Sequence, residues 1–319
     1  MIDLSSLFGD AQQWLFEQLV QPVMFASGLG NLLEDAYDAT GWLLVGLLEL
    51  AFMLVVFGAL QRWRPVEAVT DRKAIRVDVI YTLIHRLGLF RVALFFTLEP
   101  LWDGLVGQLR VAGLPAWSVD LIWPGVTDQA LVSFLVYLLL FDGVNYALHR
   151  AQHRFDWWWQ LHALHHSQRQ MTMWSDNRNH LLDDVLRDSA FVLVGLLIGI
   201  PPGQFVAVVA FTQLMESLSH ANVRLSFGPL LERVLVSPRY HRLHHAIGLG
   251  HESAGPGSLG GVNLAVLFPL WDMLFGTANF AARCEPTGVR DQLEGRDYGR
   301  GFWAQQWLGL VRLWDRRAG

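Results

Sequence analysis

Long apolar stretches alternate with short polar loops along most of this chain, and that pattern sets the first expectations. Residues 42–60 are apolar apart from Glu49. Nineteen helical residues reach about 28 Å, close to the hydrocarbon thickness of a bilayer. A second candidate span covers 79–101, interrupted by His85, Arg86 and Arg91, and a third covers 129–148. Residues 190–219 are uncharged until Glu216 and are broken by Pro201, Pro202 and Gly203. Proline cannot continue a helix. The pattern therefore predicts a hairpin of two helices, with one kinked helix as the alternative. An amphipathic stretch at Phe302–Trp314 is expected on the membrane surface.

The expected fold is an all-α integral membrane protein. Four to five transmembrane or re-entrant helices would carry a cytoplasmic helical cap. Three segments follow: 1–128 with two spans, 129–280 as the chemistry-bearing part, and 281–319 as a polar, amphipathic tail. The N-terminal 41 residues contain six acids and no base, whereas the 62–77 loop holds Arg62, Arg64, Arg72, Lys73 and Arg76. The 102–128 loop has only Arg110, while 149–188 holds five arginines and the region after 220 eleven. Basic loops stay on the cytoplasmic side. The N-terminus is then outside, the first loop inside, the second outside, and both histidine-bearing regions inside.

Composition sharpens this picture. Charged residues are 17% of the 319, against about a quarter in soluble domains. A net charge of −5 gives no reason to expect a nucleic-acid partner. One cysteine, Cys284, excludes an internal disulfide and a cysteine metal cage. The first 61 residues lack Lys and Arg, so no secretory signal peptide is expected. Fourteen tryptophans suit membrane interfaces. Many arginines beside a single lysine suggest a GC-rich bacterium, hence its inner membrane.

Eight of twelve histidines fall into three tight groups: His149 and His153; His162, His165 and His166; His241, His244 and His245. On a helix, positions i and i+3 or i+4 point to one side, so each group can aim two imidazoles at one point. Imidazole is a good ligand for iron, zinc and copper. A lone histidine is usually structural, but eight in three groups on one side of a membrane suggest a metal cage. His220, four residues after Glu216, and His180 are further candidate ligands. His85 is expected to be structural, and His251, in a Gly-rich loop, is not expected to ligate. Asp142, Asn145 and Tyr146 share a helix face with His149 and His153. Asp142 is a candidate acceptor for a ligand's second N–H, the alternative being an ion pair with Arg150. Glu216 is placed in the same orienting role. No Glu-x-x-His motif of soluble di-iron bundles occurs.

These residues resemble the fatty acid hydroxylase/sterol desaturase superfamily of membrane enzymes. The H-x-x-x-H, H-x-x-H-H and later H-x-x-H-H boxes of that family have counterparts at His149–His153, His162–His166 and His241–His245. The runs at 142–150, 157–167, 219–224, 236–245 and 269–277 are also similar, so the likeness spans roughly 130–277. It implies two iron ions held by most of these histidines, His220 included, and O2-dependent hydroxylation or desaturation of a fatty acyl, sterol or carotenoid lipid. Two departures stand out. The family's H-P-x-E is here His180-Leu181-Leu182-Asp183, and a Gly-rich insertion at 248–261 follows the third box.

An unactivated C–H bond requires a metal–oxygen oxidant, and non-haem iron is a common carrier of that chemistry. Oxygen rebound gives an alcohol; loss of a second hydrogen gives an alkene. Each turnover needs two electrons. The chain has no haem-attachment or ferredoxin motif and no Gly-rich dinucleotide fingerprint set between an expected strand and helix, so a separate reductase or electron carrier is the expected partner. The alternative is a zinc-binding membrane protein, for metal binding, transport or hydrolysis, built on the same cage.

Overall fold

The computed structural model describes residues 4–115, 117–247 and 261–314. His251 and nearly all of the Gly-rich insertion lie outside the described residues. Among the described residues the fold is all-helical, without a strand. An N-terminal arm, α1 (Leu4–Leu15), continues through a π-helical turn and a short helix to Ala26. It lies along α2 (Leu33–Phe52), where Phe16 meets Tyr37 edge to face at 5.3 Å. Helix α2 passes through a second π turn into Gly58–Trp63. As a unit, Gly30–Trp63 is long and apolar enough to cross a membrane.

The expected 79–101 span is not one continuous helix. Its first part, α3 (Arg72–Arg86), starts one residue after Asp71, whose carboxylate caps the Ala74 amide at 3.0 Å. Leu87 and Gly88 break it, Gly88 adopting a left-handed φ of 76° that a residue with a Cβ resists. The next helix, α4 (Leu89–Thr97), is bent 50° from α3. Arg86 explains why a straight apolar span is not made here: its guanidinium turns inward to a buried carboxylate, Glu49, at 2.8 Å. After α5 (Glu99–Val111), α6 (Ala130–Arg154) is the second helix long and apolar enough to span. The described residues thus contain two such helices, or three if the bent pair is one span. In the first half of α6 Leu131, Leu135 and Leu139 are exposed, whereas in its second half Asp142, Asn145, His149 and His153 are buried.

Helix α7 (Asp156–His166) follows after an extended Phe155. The 190–219 region forms the hairpin: α8 (Leu181–Ile198) stops at left-handed Gly199, and α9 (Pro202–His220) restarts at Pro201. Arg187 near the start of α8 approaches Glu216 near the end of α9 at 3.6 Å. One helix would hold them about 44 Å apart if straight, and still tens of ångströms apart if kinked. Tyr137, Leu138 and Phe141 of α6 pack with Val208 of α9 and Leu267, closed by Phe191 and Phe205. Short α10 (Pro238–His244) is capped by Ser237, and α11 (Leu270–Phe275) closes the region.

The C-terminal α12 (Phe302–Trp314) is amphipathic, as expected, and its inner face docks on the protein. Gln306 donates to Tyr81 at 2.9 Å, and Arg312 donates to the Gln160 carbonyl at 3.2 Å. Trp303, Trp307 and Trp314 remain exposed on the outer face.

Candidate metal centre

The ends of four helices converge below the apolar region. Helix α6 supplies His149 and His153, α7 supplies His162, His165 and His166, and α9 supplies its last residue, His220. Helix α10 supplies His241 and His244, with His245 just beyond. All nine side chains are buried. They divide into two groups. His149, His153, His162, His166 and His244 form one, and His165, His220, His241 and His245 the other, with potential ligand atoms in each within 4.8 Å of one another. The groups touch: the rings of His166 and His245 stack at 4.3 Å.

Much of the order comes from bonds to the nitrogen facing away from the centre. His149 Nδ1 lies 2.7 Å from the Leu264 carbonyl, His220 Nδ1 2.8 Å from the Glu216 carbonyl, and His244 Nδ1 2.8 Å from the Val262 carbonyl. His162 Nδ1 is 3.1 Å from Asp183 Oδ2. A carbonyl or carboxylate only accepts, so each Nδ1 carries the proton and each Nε2 presents its lone pair. The Nε2 atoms of His149 and His162 are buried with no hydrogen-bond partner. Leaving such an acceptor unmet costs about 1–3 kcal/mol, and a cation removes that cost. In the second group His220 Nε2 is 3.1 Å from His165 Nε2 and 3.0 Å from His241 Nε2, and His241 and His245 are 3.1 Å apart. Two donors about 2.1 Å from one ion and at right angles are about 3.0 Å apart. The side chains therefore fit metal ions. Burial, reinforced by neighbouring imidazoles, holds His165, His241 and His245 well below the ordinary imidazole pKa, in the neutral form that binds metals.

Three expected site residues play other parts than the sequence suggested. His180 joins neither group. It caps α8, its Nδ1 accepting from the Leu182 amide at 3.1 Å while Nε2 donates to the Gln306 carbonyl at 2.8 Å. Both nitrogens are thus committed. Asp142 orients no histidine and does not pair with Arg150, which donates instead to Tyr146. Its oxygens accept from the Leu267 and Phe268 amides and the Trp271 indole at 2.9–3.0 Å, clasping α6 to the segment before α11. The Glu216 carboxylate faces Arg187 and lines the cavity beside His149 and His162; its backbone carbonyl, not the carboxylate, orients His220. His85, expected to be structural, is 3.3 Å from Asp184.

Asp183 is the orienting carboxylate that spacing missed. Besides His162 it accepts from Gln152 at 2.7 Å and Trp158 at 2.6 Å. Its one available signal was its place in His180-Leu181-Leu182-Asp183, where the resembling family has an acid. Asp272 was also missed: it accepts from the Leu264 and Ala265 amides at 2.9 Å, and so aims the Leu264 carbonyl at His149.

Comparison with known proteins agrees with this geometry. The family described as fatty acid hydroxylase matches residues 134–277, which contain all nine converging histidines. Residues 134–277 belong to the fatty acid hydroxylase family. The chain is 29% identical over 215 residues to an ornithine lipid hydroxylase of Rhizobium tropici, covering 66% of this chain and 60% of that protein. It is 25% identical over 286 residues to an alkylglycerol monooxygenase of Caenorhabditis elegans, covering 87% and 48%. To the alkylglycerol monooxygenase of Danio rerio it is 27% identical over 191 residues, covering 59% and 39%. The chain thus spans only about two fifths to three fifths of these relatives. No solved structure matches it.

Proposed function

We propose that this chain is an O2-dependent di-iron oxidoreductase of the membrane that oxidises a C–H bond of a lipid, by hydroxylation rather than desaturation. The observation that carries the reading is the pair of touching histidine groups, buried together at the end of α6, a helix long and apolar enough to span a bilayer. The relatives are a lipid hydroxylase and an alkylglycerol monooxygenase, which favours the alcohol product. The five-histidine group would hold one ion and the four-histidine group the other. Five imidazoles exceed the four ligands that zinc usually takes. Two irons held by these histidines would supply the activation of O2 needed to remove hydrogen from carbon.

The protein's own contribution is orientation and exclusion of water. Asp183 and the Leu264, Val262 and Glu216 carbonyls fix the rings, and an aromatic core packs between α6, α8 and α9. Hydroxylation consumes O2, two electrons and two protons, and yields the alcohol and water. The electrons come from a separate reductase or carrier, which docks on the cytoplasmic face of a bacterial inner membrane. In this reading 129–280 is the catalytic domain, 1–128 its membrane support, and 281–319 a tail that braces it.

Lipid extracts of cells with and without the gene test this directly by mass spectrometry. A lipid shifted by +16, absent in an His162→Ala variant, supports hydroxylation. A −2 shift means desaturation, and no O2-dependent change refutes the oxidation. Reconstituted protein given lipid and O2 but no electron donor should complete at most one turnover; sustained turnover contradicts a separate donor.

A further inference from the structure

Glu49 stands in the middle of an apolar span and Arg86 at the bend of the next, both outside the fatty acid hydroxylase match. Both are buried, Glu49 at 4% exposure and Arg86 at 2%. Arg86 Nη1 donates to Glu49 Oε2 at 2.8 Å and to Gln213 Oε1 at 2.6 Å. Its Nη2 donates to the Gln213 carbonyl at 3.0 Å, Ser217 Oγ at 2.9 Å and Asp176 Oδ2 at 3.3 Å. Gly46 permits this crossing: a Cβ there would lie 1.6 Å from the Arg86 carbonyl oxygen. Helices α2 and α3 therefore meet backbone to backbone.

The far side of this clamp is α9. Gln213 and Ser217 precede His220 by seven and three residues, on one helix face. Asp176, itself bonded to Ser217 at 3.2 Å, approaches His220 Nδ1 at 4.0 Å. A rigid guanidinium fork with several short bonds fixes the position of the helix it grips. Only the four-histidine group takes a ligand from α9; the five-histidine group is drawn from α6, α7 and α10. The two groups therefore differ in their dependence on the N-terminal spans.

We propose that Arg86, braced by Glu49, is a positioning residue for the four-histidine group, so that the N-terminal spans tune metal affinity at one position of the pair and not at the other. This rests on the two-metal reading above. The test titrates Co2+ alone into metal-free, full-length protein in detergent and resolves two dissociation constants. The constant abolished by His220→Ala marks the four-histidine group. Arg86→Met should weaken that constant about 10–100-fold and leave the other within about twofold, with Arg86→Lys recovering part of the loss. Arg86→Met strands two buried carboxylates and can fail to fold. Gln213→Ala removes one grip on α9 without stranding a charge, and should weaken the same constant about tenfold. Equal weakening of both constants, or no change in Gln213→Ala, overturns the proposal. Fewer than two equivalents bound by the unaltered protein would instead sink the two-metal reading.

Discussion

A buried imidazole holds a metal well only when its other nitrogen is fixed, and Asp183 does this for His162. Replacing Asp183 with Asn keeps the volume and removes the charge. Metal affinity of the five-histidine group should fall about 10–100-fold, read as metal retained after dialysis. His180→Ala should leave metal content unchanged, because both His180 nitrogens are engaged elsewhere. It should cost about 1 kcal/mol of stability through the lost cap on α8, read by thermal unfolding. The contrast shows what spacing can and cannot tell. Helical periodicity puts His149 and His153 on one face, and likewise the two later boxes. It says nothing of a residue that precedes its helix, so the cap His180 looked like a ligand. Nor does it distinguish acids: Asp142 and Asp183 are both buried near the cage, yet one clasps backbone amides and the other a ring. That choice depends on segments more than 20 residues away in the sequence.

At the scale of elements, the legible features were those with strong local chemistry. Two prolines and a glycine announced the break between α8 and α9, and the uninterrupted apolar runs gave α2 and α6. The bend between α3 and α4 was less visible, because it follows from Arg86 finding partners on α2 and α9. The docking of α12 was hidden for a similar reason. Its polar face, with Gln305, Gln306 and Arg312, looked fit for water but is buried against α7 and α3. Gly309 allows that contact: a Cβ there would fall 2.2 Å from the His180 ring. Gly309→Ala should therefore destabilise the protein by about 1–3 kcal/mol, read as a lower Tm in detergent. An unchanged Tm would mean that α12 does not pack there.

For the whole molecule, the proposed orientation has the histidine centre and the C-terminal segment on the cytoplasmic side. Cys284 is exposed and is the protein's single cysteine. It lies close in sequence to the segment where the Pro286 carbonyl accepts from Ile247 and the Gly288 amide donates to the His245 carbonyl. A membrane-impermeant maleimide should leave Cys284 unlabelled in intact spheroplasts and label it after permeabilisation; labelling of intact cells would reverse the orientation. The most direct measurement of the central claim counts metals in protein purified without added metal. Two irons per chain, with oxygen consumed on addition of lipid and an electron donor, is the predicted result. Zinc alone with no oxygen uptake, or no bound metal at all, would contradict it.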